Sequence, residues 1–272
     1  MASWLQPETL MPTPTRKPIR TLILGGTADA SALADALHGD PRFEATLSLA
    51  GVTSAPLLPR IAVRSGGFGG VDGLAAYLRD NRIDAVVDAT HPFAGRISAH
   101  AVAACAMQQV ALLRIARPAW SLVGEDRWTE VQDMEAAARA LGRRPLRVLL
   151  TVGRRDLAPF AAQPQHFYVI RSVEPPPDDV LPKRCRVIPA RGPFRLEDER
   201  RLFATHRIQV LVTKNSGGDA ASAKLAAAKE GPFPVIFVAR PPEPDGDSVP
   251  DWKGALAWLQ RTHQDAGTLR AV

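Results

Sequence analysis

The chain is poor in cysteine, in aromatic side chains, in lysine and in long apolar runs. Two cysteines, Cys105 and Cys185, among 272 residues cannot build a disulfide framework or a cysteine-only metal site. No run of about 18 apolar residues occurs, so no membrane span is expected. The opening MASWLQPETLMPTPTRKP lacks the apolar core of a signal peptide and is broken by prolines, which makes a cytoplasmic protein the expectation. Aromatic residues are 6% of the chain and form no stripe among the basic ones, which argues against a nucleic-acid partner. The six histidines show no metal-ligand spacing, and H-E-x-x-H, C-x-x-C and G-x-S-x-G are all missing, so no metal is expected. Tyr77 and Tyr168 have Asn81 and Ser172 four residues on, where a short-chain dehydrogenase would carry lysine.

What is present is arginine. Of 34 basic residues six are lysine, which leaves 28 arginines and a net charge of +6. The guanidinium fork grips carboxylates and phosphates two-pronged, so one reading is a polyanionic ligand. A GC-rich genome, which favours Arg and Ala codons, reads the same excess, and composition alone leaves both open. Apolar residues make up 46% of the chain, enough to fill a core or two.

The apolar runs alternate with helical patterns. RTLIL, EATLSLAGVT (44–53), IDAVVD and VALLRIA read as strands, the second followed by a short β-like IAVR, and ADASALADAL, VDGLAAYLRDNR (71–82) and GRISAHAVAACAMQQ as helices. The pattern returns with strands LRVLLTVG (146–153), HFYVIRSV (166–173), CRVIPARGPF (185–194), IQVLVTKNSGG (208–218) and PFPVIFVARP (232–241), and helices LEDERRLFATHR and DAASAKLAAAKEG. Short unbroken apolar strands with helices between them predict parallel sheets covered on both faces. The expected fold is α/β, with two Rossmann-like domains and ligands bound in the cleft between them. Residues 1–18 form an arm, 19–117 the first domain, and 118–272 the second, closed by the helix DWKGALAWLQRTHQ.

Chemistry is expected at the carboxyl ends of the strands. Gly25, Gly26 and Thr27, with Asp29 in the first helical turn, offer a glycine turn and a helix N-terminus to a phosphate. The turn departs from G-x-G-x-x-G, and a ligand-free strand-to-helix turn fits the same residues. Asp29 beside a pyrophosphate would repel it, so it is expected to bind a hydroxyl or amide or to cap the helix. The second strand ends near Thr53 with no acid, and Arg64 follows; that favours a 2′-phosphate and hence NADPH over NADH. Asp88, Thr90, His91 and Arg96 crowd another strand end. His91 is the expected proton donor, since an ordinary imidazole titrates near neutrality, with Asp88 orienting it. Arg154, Arg191 and the run Lys214, Asn215, Ser216, Gly217 supply anion contacts in the second half. Singly, each reads equally as a cap or a surface charge.

LILGGTADASALA, DATHPFA, RPAW, TVGRRDL, YVIRSVEPP, RGPF and VTKNSGG, in this order, resemble the precorrin-6A reductase and cobalt-precorrin-6A reductase family over residues 20–240. The resemblance implies NADPH-dependent reduction of one macrocycle double bond, giving precorrin-6B in cobalamin biosynthesis, without flavin or catalytic metal. It also implies a polycarboxylate tetrapyrrole substrate and hand-over to neighbouring pathway enzymes. A non-catalytic dinucleotide sensor or tetrapyrrole carrier on the same scaffold is the alternative, and a methyltransferase using S-adenosylmethionine stands third.

Overall fold

The computed structural model describes residues 17–51, 60–121, 124 and 127–268. Two six-stranded sheets carry the fold, and every pairing in them is parallel. The first is laid down by β1 (Ile19–Leu24), α1 (Ala28–Leu37), β2 (Phe43–Leu49), β3 (Ala62–Ser65), α2 (Val71–Asp80), β4 (Ala85–Asp88), α3 (Gly95–Gln108) and β5 (Ala111–Ile115). The second follows with β6 (Trp128–Val131), α4 (Met134–Ala140), β7 (Arg147–Thr151), α5 (Ala158–Ala161), β8 (Phe167–Ser172), β9 (Cys185–Pro189), α6 (Leu196–His206), β10 (Val210–Lys214), α7 (Ala223–Glu230) and β11 (Val235–Val238). The chain then returns with β12 (Ser248–Val249) and α8 (Trp252–Thr268).

The physical reason for each layer is readable in its residues. In α1 the buried Ala30, Leu33, Ala34 and Leu37 recur at one-turn spacing and face β1. Strands β4 and β11 are buried along their whole length, as strands covered on both faces must be. Helices α1 and α8 cover one face of the first sheet, and α2 and α3 the other. In the second sheet α4 and α5 cover one face, and α6 and α7 the other.

The closing segment corrects the expected boundary of the second domain. β12 pairs with β5 of the first sheet, and Ala255 and Leu259 of α8 are fully buried against Ile23, Leu33 and Leu113. Residues 248–268 therefore complete the first unit, not the second, because only there does an apolar face remain uncovered. Strand β6 is silent in the sequence: four residues with an exposed Thr129 and Glu130 at a sheet edge leave almost no apolar signature.

Strand order in the first sheet is β12-β5-β4-β1-β2-β3, and in the second β6-β11-β10-β7-β8-β9. In the first sheet the chain winds outward in opposite directions from one central pair, and in the second it does so from β7 onward, with the earlier β6 added at the edge beyond β11. That pair is β1 and β4 in the first sheet, and β7 and β10 in the second. A crevice opens at the carboxyl ends of such a pair, where neighbouring loops part to opposite sides.

Candidate active site

The first switch point is built by the turn after β1 and the loop after β4. The Gly25 amide continues the ladder to the Ser48 carbonyl at 2.9 Å, and a Cβ there would lie 2.6 Å from the Leu47 side chain. Gly26 has a φ of +115°, a conformation that L residues avoid, and nothing lies within 4 Å of where its Cβ would be. Thr27 caps α1 by accepting from the Ala30 amide at 3.2 Å. Its hydroxyl also donates to the Ala89 carbonyl at 2.7 Å. The cap is thus Thr27, not Asp29. Asp29 instead faces Arg117 at 3.6 Å, beyond the end of β5.

Arg64 is the penultimate residue of β3, in register with Ser48 near the end of β2. Its guanidinium donates to Ser48 Oγ at 2.8 Å and to the carbonyls of Gly66 and Gly67, each at 3.1 Å. It also stacks on Phe68, 3.8 Å from the ring centre. These contacts hold the fork at the strand edge. Thr53 lies outside the described residues.

In the loop after β4, Asp88 is buried and accepts from both the amide and the hydroxyl of Thr90, at 3.1 and 2.6 Å. That fixes the loop from within and occupies the Thr90 hydroxyl. His91 Nδ1 accepts from the Phe93 amide at 3.2 Å, which leaves the ring proton on Nε2. Burial pushes the His91 pKa down to about 3, helped by Lys214, Arg117, Lys224 and Arg240 around it. The expectation that it titrates near neutrality is not met: the imidazole is neutral at physiological pH. Phe93 reaches across to pack on the core of the second sheet, so this loop bridges the two units.

The second switch point faces it. Lys214 pairs with Asp156 at 2.6 Å and lies over the Phe93 ring at 4.8 Å. Asp156 also accepts from the Gly153 amide at 3.0 Å. Arg154 pairs with Glu174 at 3.2 Å. Asn215 holds the segment after β5, its side chain bonding both the amide and the carbonyl of Trp120. At Gly217, φ +64°, a Cβ would come within 2.1 Å of the Pro118 carbonyl oxygen, so no larger residue fits. Ser216 is buried and lines the cleft. Arg96 and Arg191 are exposed and do not line it.

The cleft between the units has a volume of about 380 Å³. His91 enters it from the first unit. Thr151 to Arg154, Arg171 to Glu174, Phe194, Ser216 and Lys224 line it from the second. Sequence reasoning missed Arg171, which lines the cleft, and two cations near His91, Arg117 and Arg240. Arg117 and Arg240 both stand in an Ala-Arg-Pro tripeptide after a buried strand, at 116–118 and 239–241, and that echo was the available signal. Arg240 donates to the carbonyls of Asn215 and Arg117 at 2.7 and 2.6 Å, and its Nη2 is buried with no hydrogen-bond partner among the described residues. Arg171, directly after the apolar run of β8, forms a buried pair with Glu199 and stacks on Phe194.

These features fit a dinucleotide. The open space over Gly26, the amides at the start of α1 and the braced fork of Arg64 suit phosphates. The buried, unpartnered donor on Arg240 suits an anion brought between the units.

Comparison with known proteins converges on one family. The family described as "Precorrin-6x reductase CbiJ/CobK" matches residues 20–260. A "Precorrin-6A reductase" of Rhodobacter capsulatus is 45% identical over 240 residues, 88% of this chain and 95% of that one. A "Cobalt-precorrin-6A reductase" of Salmonella typhimurium is 30% identical over 252 residues, 87% of this chain and 93% of that one. Among solved structures, "CobK precorrin-6A reductase" superposes with a TM-score of 0.85 at 44% identity, covering 90% of this chain and 97% of that chain.

Proposed function

The chain belongs to the precorrin-6x reductase family, and from that premise we propose that it reduces one carbon–carbon double bond of metal-free precorrin-6A, using NADPH, in cobalamin biosynthesis. The observation that carries this reading is the 45% identity to a precorrin-6A reductase over 95% of that protein's length, against 30% for a cobalt-precorrin relative. Two features support it: the open glycine turn before α1 and the cleft cations Arg154, Arg171 and Lys224.

Gly25, Gly26 and Thr27 would hold the phosphates of the dinucleotide, and Arg64 its 2′-phosphate. When bound, the reduced nicotinamide supplies the hydride. The protein's own work is to orient the two ligands and to exclude water between them. Ser216 and Arg154 line the cleft and, with Lys214 beside Phe93, would meet substrate carboxylates. His91, neutral with its proton on Nε2, would donate a hydrogen bond to the ligand and not a proton. Asp88 acts through the loop, holding Thr90 so that His91 points outward. Arg96 and Arg191, both exposed, are left to the rim.

The reading is tested with purified protein, precorrin-6A and NADPH. Expected are loss of the nicotinamide absorbance and a tetrapyrrole heavier by two hydrogens. A protein that binds the tetrapyrrole and never oxidises the nucleotide would be a carrier or sensor.

A further inference from the structure

Lys224 is a buried cation that nothing in the mechanism above uses. Its side chain is 4% exposed, it lines the cleft, and it forms no hydrogen bond or ion pair among the described residues. Its ammonium lies 5.1 Å from the Trp120 ring. It is the second residue of α7, and the N-terminal end of a helix disfavours a cation.

The charges around it do not compensate it. Arg171 on β8 and Glu199 on α6 neutralise one another in their buried pair. Across the cleft stand His91, which is neutral, and the pair Arg154 and Glu174. Asp219, in the turn before α7, is exposed. The local sum is therefore one buried positive charge without a counter-ion, which is costly unless something anionic arrives or the amine gives up its proton.

We propose that Lys224 is the receptor for an anionic group of the ligand, and that it takes up a proton when that group binds. This rests on the reading of the substrate as a polycarboxylate. The free amine supports it, since burial and Arg171 bring its pKa down to about 7, only partly opposed by Glu199. A carboxylate seated against it favours the charged form and draws the proton from solvent. The balance is one proton from water or buffer onto Nζ for each anion bound, with no bond made or broken in the ligand.

The test is calorimetric titration of the full chain with precorrin-6A, in the presence of NADP+ so that no turnover occurs. Two buffers of different ionisation heat give the proton count. At pH 8 the wild type is expected to take up close to one proton per ligand. Its dissociation constant should rise up to about tenfold per pH unit above pH 7. Lys224→Arg, permanently charged, should lose both the uptake and the pH slope, and Lys224→Met should bind about 10- to 100-fold more weakly at pH 6.5. Wild-type binding with no proton uptake, or uptake that persists in Lys224→Met, overturns the proposal. If that wild type still reduces precorrin-6A, the functional reading stands without it. A wild type that binds no precorrin-6A overturns both.

Discussion

The hydroxyl of Thr27 sits between two loops, donating to the Ala89 carbonyl at 2.7 Å while it accepts from the Ala30 amide at 3.2 Å. One side chain thus caps α1 and ties the glycine turn to the loop that carries Asp88 and His91. Thr27→Val keeps the shape and loses both bonds. We expect a stability loss of about 1–2 kcal/mol in urea unfolding and weaker nucleotide binding. Thr27→Ser should restore most of both. A valine variant as stable as wild type would mean that neither bond contributes.

Arg64 is spent on local oxygen atoms before any ligand arrives, and that bracing is what makes it a selective site. Arg64→Ala should raise KM for NADPH by roughly 10- to 100-fold, as expected for one or two lost charge-assisted bonds. KM for NADH should change far less. Lysine should not rescue, because it can neither stack on Phe68 nor hold Gly66 and Gly67 at once. Equal changes for both nucleotides would remove Arg64 from the role.

For His91 the sign of the pH effect is fixed by burial. Its pKa of about 3 lies below any working pH, so the free enzyme carries no imidazolium to lose between pH 5.5 and 8.5. The profile of kcat/KM should show no step from His91 in that window, and His91→Asn should leave the profile's shape unchanged. In single-turnover reduction with nucleotide saturating, this variant should lose less than the ~100-fold that marks a general acid. A larger loss at normal binding of both ligands would restore the donor role.

The pair formed by Arg171 and Glu199 is buried on both sides, with Glu199 Oε2 lacking a hydrogen-bond partner among the described residues. Removing only the anion leaves Arg171 uncompensated beside Lys224. Glu199→Ala should therefore cost about 3–5 kcal/mol of stability. The double change Glu199→Leu with Arg171→Met should recover much of it, read by denaturant melts at one pH. Equal losses for the single and double variants would show that packing, not charge, is at stake.

Lys224 makes stability itself depend on pH. Its pKa is lower in the folded chain, about 7, than the ordinary 10.5, so between those values the unfolded chain binds more protons. The penalty is complete below pH 7 and is relieved as pH rises towards 10.5. Relative to Lys224→Met, the wild type should gain roughly 2 kcal/mol between pH 7 and pH 9. A constant difference across that range would mean that the amine titrates normally.

The sequence makes the sheets legible because their interior strands are unbroken apolar runs, and it makes the strand-end loops legible because glycine and hydroxyl residues punctuate them. Gly26 and Lys214 stand where that logic puts them. β6 escapes because an edge strand of four residues needs no apolar face. The return of α8 to the first sheet escapes because its amphipathic pattern says that it covers something, not what. His91 shows a different gap: its residue type suggests a titrating group, and its burial in the folded chain, helped by the surrounding cations, favours the neutral form. Arg171, Glu199 and Lys224 come from three separate elements, so no local spacing could have joined them.

The closing strand and helix also set an order of assembly during synthesis. Residues 19–115 leave the ribosome with only α1 on one face of their sheet, and that face stays partly uncovered until α8 follows β6 to β11. The second unit, contiguous in the chain, can finish first. A nascent chain halted near residue 245 is expected to hold a protease-resistant second unit and a protease-sensitive first one; equal resistance of the two would remove any such order.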